Sequence, residues 1–285
     1  MSASPFAVCG ICPRACSIIL GERGFCGARG AVSDPDTGQT IVAPLSYGKL
    51  TAVHLDPIEK KPLRRFCPGQ MILSVGSFGC NFNCPWCQNH NISRASEDDV
   101  QTKELSAEAL VKLAEEHVPL GNIGVAFTYN EPLISFEYVR DTSRILRDRG
   151  MKSVLVTNGY MNPSLFSDLL SFVDAMNVDL KSVKKDFYEK IGGDLDTVMT
   201  NIKMAAEMCH IELTCLLLEG ENDTEDEMKE MTNFISSISS EIPLHISRFF
   251  PRHKWDDRMP TSIETMKRFK EIADKKLEYV YLGNI

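Results

Sequence analysis

From residue 71 onward, apolar runs of strand length alternate with segments of helical period, and this alternation restricts the fold more than any other feature. Runs at 71–75, 123–128, 153–156, 175–180, 211–217, 244–249 and 279–282 read as strands. Segments at 107–117, 135–149, 163–172, 197–208, 224–237 and 263–275 place apolar residues on one helical face. Strand, helix and strand in succession make a right-handed βαβ unit with parallel strands. Six to seven such units predict an α/β fold, a partial (β/α) barrel of TIM type over 71–285. An open doubly wound sheet is the alternative. No glycine fingerprint follows the first strand, which counts against a dinucleotide-binding sheet.

Charge and hydropathy narrow the setting. With 31 basic and 39 acidic residues the net charge is −8, so no overall basic footprint for nucleic acid or an anionic membrane exists. No run of about 18 apolar residues is present, and the first residues lack the charged and apolar regions of a signal peptide. A cytoplasmic protein with no nucleic-acid or membrane partner is expected. In a reducing compartment, ten cysteines are metal ligands or catalytic groups more often than disulfides.

The cysteines fall into groups. Cys9, Cys12, Cys16 and Cys26 lie in a Gly- and Pro-rich segment, 1–45, too short to build its own core. This predicts a small metal-nucleated module, followed by a Pro-punctuated connector at 46–70 with a short strand near 50–55. Four thiols spaced C-x2-C-x3-C-x9-C suit a structural zinc or a second iron–sulfur cluster, with free thiols a third reading, and spacing does not separate them. Cys67, Cys209 and Cys215 read as packing thiols.

Cys80, Cys84 and Cys87 follow the first barrel strand with spacing C-x3-C-x2-C. Three thiolates on one tight loop can hold three corners of a cubic [4Fe–4S] cluster, leaving the fourth iron open to a ligand. A zinc knuckle with a distant fourth ligand is the alternative. Phe82 and Trp86 would shield the group. Polar residues also gather where barrel strands end: Tyr129-Asn130-Glu131, Thr157-Asn158, Asp179 with Lys181, Glu219, and His245, Ser247 and Arg248. A barrel carries its active site at those C-terminal ends. Along the fourth strand Asn177, Asp179 and Lys181 alternate with Met176, Val178 and Leu180, predicting a polar inward face. Glu212 and Thr214 repeat the pattern on the fifth.

The cysteine loop resembles that of the radical S-adenosylmethionine (SAM) superfamily. Cys9-Gly10-Ile11-Cys12-Pro13-Arg14-Ala15-Cys16, Asp56-Pro57-Ile58-Glu59-Lys60-Lys61-Pro62, the cysteine loop, Tyr129-Asn130-Glu131-Pro132, Asp179-Leu180-Lys181 and His245-Ile246-Ser247-Arg248 together resemble the radical SAM enzymes of the AmmeMemoRadiSam system, which are similar to pyruvate formate-lyase activating enzymes. The resemblance implies a [4Fe–4S] cluster at Cys80, Cys84 and Cys87, SAM as cofactor, and an electron donor of the flavodoxin or ferredoxin kind. It implies reductive cleavage of SAM to methionine and a 5′-deoxyadenosyl radical, which abstracts hydrogen from a protein or small-molecule substrate. Glu131 matches the acid of a Gly-Gly-Glu-type motif that holds the SAM amino group, with Tyr129 and Asn130 in place of the glycines. A helix-capping acid is the plainer reading. Thr157, Asn158, Asp179, Lys181 and His245 are further candidate SAM contacts, and Asp179 with Lys181 could instead bind a monovalent cation. Residues 96–103 leave no room for the ferredoxin-like insert of some activating enzymes. Members of the family often carry a further cysteine pair beyond the match to Tyr281-Leu282-Gly283-Asn284; its absence reads as a short form or a truncation. The competing functional class is a non-catalytic iron–sulfur or zinc protein serving as scaffold or electron carrier.

Overall fold

The computed structural model describes residues 4–285. Two antiparallel pairs open the chain, β1 (Phe6–Val8) with β2 (Ser17–Ile19) and β3 (Arg29–Ser33) with β4 (Thr40–Pro44). A stub, β5 (Lys49–Leu50), pairs with the distant β8 (Lys103–Glu104). The main sheet has eight strands: β6 (Ala52–Pro57), β7 (Met71–Gly76), β9 (Asn122–Phe127), β10 (Lys152–Thr157), β11 (Ala175–Asp179), β12 (His210–Leu217), β13 (Leu244–Arg248) and β14 (Val280–Gly283). Every neighbouring pair is parallel except β6 with β7. Strand order follows chain order without a reversal. A doubly wound sheet reverses at a switch point, so this is the partial barrel. Its edges, β6 and β14, share no backbone ladder. Across that seam Arg65 lies over the Tyr279 ring at 4.0 Å and Arg64 over Tyr281 at 5.7 Å.

The helices are α1 (His90–Ser93), α2 (Ala107–Glu116), α3 (Phe136–Asp148), α4 (Pro163–Leu170), α5 (Lys185–Ile191), α6 (Leu195–Met208), α7 (Glu225–Ile238) and α8 (Ile263–Ala273). Side chains of Ser106, Asp194, Thr224 and Ser262 accept from the first-turn amides of α2, α6, α7 and α8, supplying partners those amides lack within the helix. Pro163 starts α4, where its fixed φ fits the first turn. Of the longer helices, α5 is the one the sequence pattern leaves as loop. Seven residues span two turns, too few to show a period, and Gly192 (φ 80°) stops it. None of the described helices is long and apolar enough to cross a membrane.

The stretch after β6 closes the barrel interior from within. Ile58 and Leu63, both fully buried, pack against Ile72, Ala126, Val154 and Ala175, one residue from each of β7, β9, β10 and β11. Inward polar groups fasten this plug. Asn177 donates to the Pro62 carbonyl (2.9 Å) and Thr214 donates to Asn177 (2.8 Å). Glu212, fully buried, accepts from the Arg64 and Arg65 amides (2.9 and 2.7 Å) and pairs with His210 (3.0 Å) and His245 (2.6 Å).

Burial alone would raise the Glu212 carboxyl, but the two histidines and two amides outweigh it and hold it at about 2 against an ordinary 4.5. A lowered carboxyl stabilises the fold where it is ionised. That contribution is complete above 4.5 and is lost as pH falls toward about 2. Wild type is therefore expected to exceed Glu212→Gln by about 3 kcal/mol near neutral pH, the gap closing through that acid window. Urea midpoints from pH 7 down to 3 measure it; a gap that does not shrink in acid would contradict the role given to the carboxylate.

Candidate active site

The cysteine loop leaves the C-terminal end of β7. Phe78 and Phe82 bury their rings completely or nearly so, which anchors the loop at two points. The Asn83 amide donates to Ile191 O (2.9 Å) and Arg94 donates to Phe82 O (3.1 Å). Gly79 adopts φ 84°, and an added Cβ would stand 2.3 Å from the Cys26 carbonyl oxygen. No other residue fits there. The Cys80 amide donates to that same carbonyl at 3.2 Å, so the N-terminal module braces the loop directly.

Around the thiols stand polar groups from three strand ends, those of β9, β10 and β11. Cys80 Sγ accepts weakly from the Phe82 amide (3.4 Å) and Asn158 Nδ2 (3.9 Å), and Cys87 Sγ meets Ser93 Oγ at 3.2 Å. Burial pushes the Cys80 thiol well above its ordinary value and Cys84 up to about 11, with the nearby Lys181 charge opposing the rise at Cys84. Protonated thiols in so dry a place become ligands only when a cationic group compensates their charge.

Glu131 follows β9 and is 3 % exposed. Its Oε1 accepts from Thr157 Oγ1 (2.6 Å) and the Leu133 amide (3.0 Å), and its Oε2 accepts from the Asn158 amide (2.8 Å). Desolvation exceeds these bonds and lifts the carboxyl to about 7. The Leu133 contact caps the short 3-10 turn at Pro132–Ser135, so the capping role is real. It does not exhaust the group, because a carboxylate offers about four acceptor directions and three are in use.

Asp179 and Lys181 form an ion pair (2.8 Å) at the end of β11. Burial works to lower the Lys181 ammonium, but Asp179 and the Cys84 thiol override it and hold it above the usual lysine range. The ammonium already sits where a monovalent cation on Asp179 would have to compete. Thus Cys80, Cys84, Glu131, Thr157, Asn158, Asp179 and Lys181 face one mouth. His245 is placed otherwise. It is 3 % exposed, bonded to Glu212 and stacked on Tyr281 at 5.3 Å.

Tyr129 and Asn130 serve the loop rather than facing the mouth. Asn130 Oδ1 accepts from the Ser77 amide (2.9 Å) and its Nδ2 donates to the Phe78 and Gly79 carbonyls (3.1 Å each). Tyr129, at φ 71°, donates to Asp56 (2.8 Å), and Asp56 pairs with the buried Lys61 (2.8 Å). Asp56 and Lys61 lie in the Asp-Pro-Ile-Glu-Lys-Lys-Pro motif, yet no spacing rule shows that they reach Tyr129. Asn81, between Cys80 and Cys84, is likewise reached by no spacing rule, yet it accepts from Asn158 (2.8 Å). Residues 251–259 lie against the cysteine loop. Trp255 packs on Trp86 at 4.8 Å, the Lys254 amide donates to Pro85 O (3.0 Å), and Arg258 covers Trp255 at 3.4 Å.

A partial parallel barrel with three cysteines on the loop after its first parallel strand, and acid, amide and ammonium groups at the neighbouring strand ends, defines a barrel enzyme built around a redox cluster. The chain belongs to the radical SAM superfamily, whose family pattern matches residues 74–235. An uncharacterized protein of Methanocaldococcus jannaschii is 38% identical over 281 residues, 97% of this chain and 81% of that protein. The pyruvate formate-lyase 1-activating enzyme of Escherichia coli (strain K12) is 23% identical over 215 residues, covering 69% of this chain and 86% of that protein. A radical SAM methyltransferase from Sphaerobacter thermophilus shares the fold at TM-score 0.59 and 15% identity, covering 90% of this chain and 76% of that one. The family implies a [4Fe–4S] cluster and SAM. The donor set suits them: soft thiols gathered on a shielded loop, with polar groups beside it.

Proposed function

We propose that this chain cleaves SAM reductively and uses the resulting radical to abstract hydrogen from a substrate. The observation that carries the reading is the convergence of Cys80 and Cys84 with Glu131, Asn158 and the Asp179–Lys181 pair at one barrel mouth. Bound at Cys80, Cys84 and Cys87, a [4Fe–4S] cluster would supply the electron that splits SAM into methionine and a 5′-deoxyadenosyl radical. The protein's part is to position and to shield. Glu131 has an acceptor direction left for the SAM ammonium, and a cation there would draw its proton off. Asp179 and Lys181 offer an acceptor and a donor to ribose hydroxyls. Phe82, Trp86 and Trp255 keep water from the loop. Electrons would come from a flavodoxin- or ferredoxin-class donor.

The test is anaerobic. Protein reconstituted with iron and sulfide is mixed with SAM and dithionite, and 5′-deoxyadenosine is measured. Formation is expected; none from cluster-loaded protein would overturn the reading. Glu131→Ala is expected to raise the SAM requirement at least about tenfold, through loss of a charge-assisted bond. Activation of a glycyl-radical enzyme is the narrower reading, supported by the likeness to the Escherichia coli activating enzyme. A protein glycyl-radical signal in electron paramagnetic resonance, formed on mixing with such an enzyme, would support it.

A further inference from the structure

The N-terminal cysteines remain outside that function. We propose that Cys9, Cys12, Cys16 and Cys26 hold a second iron–sulfur cluster, of [4Fe–4S] type, beside the Cys80 loop. Such a site stands independently of the proposed reaction.

All four thiols line one cavity. Several local constraints bring them there. The Cys9 amide donates to the Cys16 carbonyl (2.9 Å), closing the β1–β2 pair, and Ala15 takes a left-handed φ of 47° so that its amide reaches Cys12 O (3.1 Å). Gly24 approaches so closely that an added Cβ would meet Ile18 Cδ1 at 3.1 Å and Cys16 Cβ at 3.7 Å.

The same cavity is lined by Arg14 and Arg29. The Nε of each is buried without a hydrogen-bond partner among the described residues. Arg29 is 4 % exposed, and its other nitrogens are taken by Glu137 (2.8 Å twice) and the Ile134 carbonyl (3.1 Å). An unmatched buried donor costs about 1–3 kcal/mol, more when charged. Two such cationic donors beside four thiols fit an anionic group with sulfur acceptors, and N–H bonds to cluster sulfur are a recognised means of tuning its potential.

The two unpaired guanidinium donors favour a cluster over a lone zinc. A zinc ion brings no acceptor of its own, whereas a [4Fe–4S] core adds inorganic sulfides that can accept from Arg14 and Arg29 beside the four cysteines. The two cysteine groups also touch: Cys26 O accepts from the Cys80 amide (3.2 Å), and Asn81 lines the N-terminal cavity. A redox group held there stands one backbone hydrogen bond from the loop.

Iron and zinc content decide the matter after reconstitution with ferrous iron and sulfide. Wild type is expected to carry about eight irons per chain, and C80A/C84A/C87A to retain about four, with a reducible cluster signal in electron paramagnetic resonance. C9A/C12A/C16A/C26A is expected to fall to about four. Wild type with about four irons, with or without one zinc, overturns the proposal, as does a quadruple variant that keeps all its iron. If either variant is insoluble, Mössbauer quantification of cluster iron in wild type separates about eight irons from about four without it. SAM cleavage is not the readout, so failure here leaves the proposed function standing.

Discussion

Cys84→Ala is expected to abolish 5′-deoxyadenosine formation, a loss of at least about a thousandfold, while leaving the fold in place. Cys84 is the middle cysteine of the loop, with Lys181, Cys87 and Asp179 close to its thiol. The loop's shape does not depend on its thiol. That shape is fixed by the buried Phe82 ring, the Asn83 amide on Ile191 O and the Arg94 bond to Phe82 O. Circular dichroism should therefore match wild type while cluster absorbance from the loop disappears. Retained cleavage would remove Cys84 from the ligand set. An altered fold would show instead that the thiol is structural.

The second large effect is expected at Gly79→Ala, a change of one methyl group. At φ 84° an L side chain costs about 1–2 kcal/mol. The added Cβ would also lie 2.3 Å from Cys26 O and 2.9 Å from Ala28 Cβ. Cys26 O cannot retreat without breaking its bond to the Cys80 amide. Overpacking of this kind costs a further 1–3 kcal/mol or so, giving a total of about 2–5 kcal/mol. Urea midpoints measure it, and iron occupancy of the Cys80 loop should fall in parallel. A variant within about 0.5 kcal/mol of wild type would mean that the module does not brace the loop.

The barrel is readable in the sequence because each strand is an apolar run followed by a helix long enough to show its period. The predicted run at 123–128 is β9 (Asn122–Phe127), and the predicted segment at 224–237 is α7 (Glu225–Ile238). Helix α5 is not readable, being shorter than the pattern needed to recognise it. Residues 58–70 carry no periodicity, so nothing in them announces that Ile58 and Leu63 fill the barrel's interior. Within the site, residue type at a strand end locates Glu131, Asp179 and Lys181. It does not distinguish a side chain facing the mouth from one already engaged. Asn130 is engaged by the loop backbone and His245 by Glu212, and both facts depend on contacts more than thirty residues apart in sequence.

The seam between β6 and β14 has a mechanical meaning. Elsewhere the wall is stitched by peptide ladders, whose rows of bonds must break together. Here the clasp is two guanidinium groups resting on two phenol rings, that of Arg65 also bonded to the Tyr279 hydroxyl (3.2 Å), with the Arg64 and Arg65 amides held by Glu212. The guanidinium–ring contacts contribute about 0.5–1 kcal/mol each at exposed positions and re-form without register. Closure along this line therefore rests on side chains rather than on a peptide ladder.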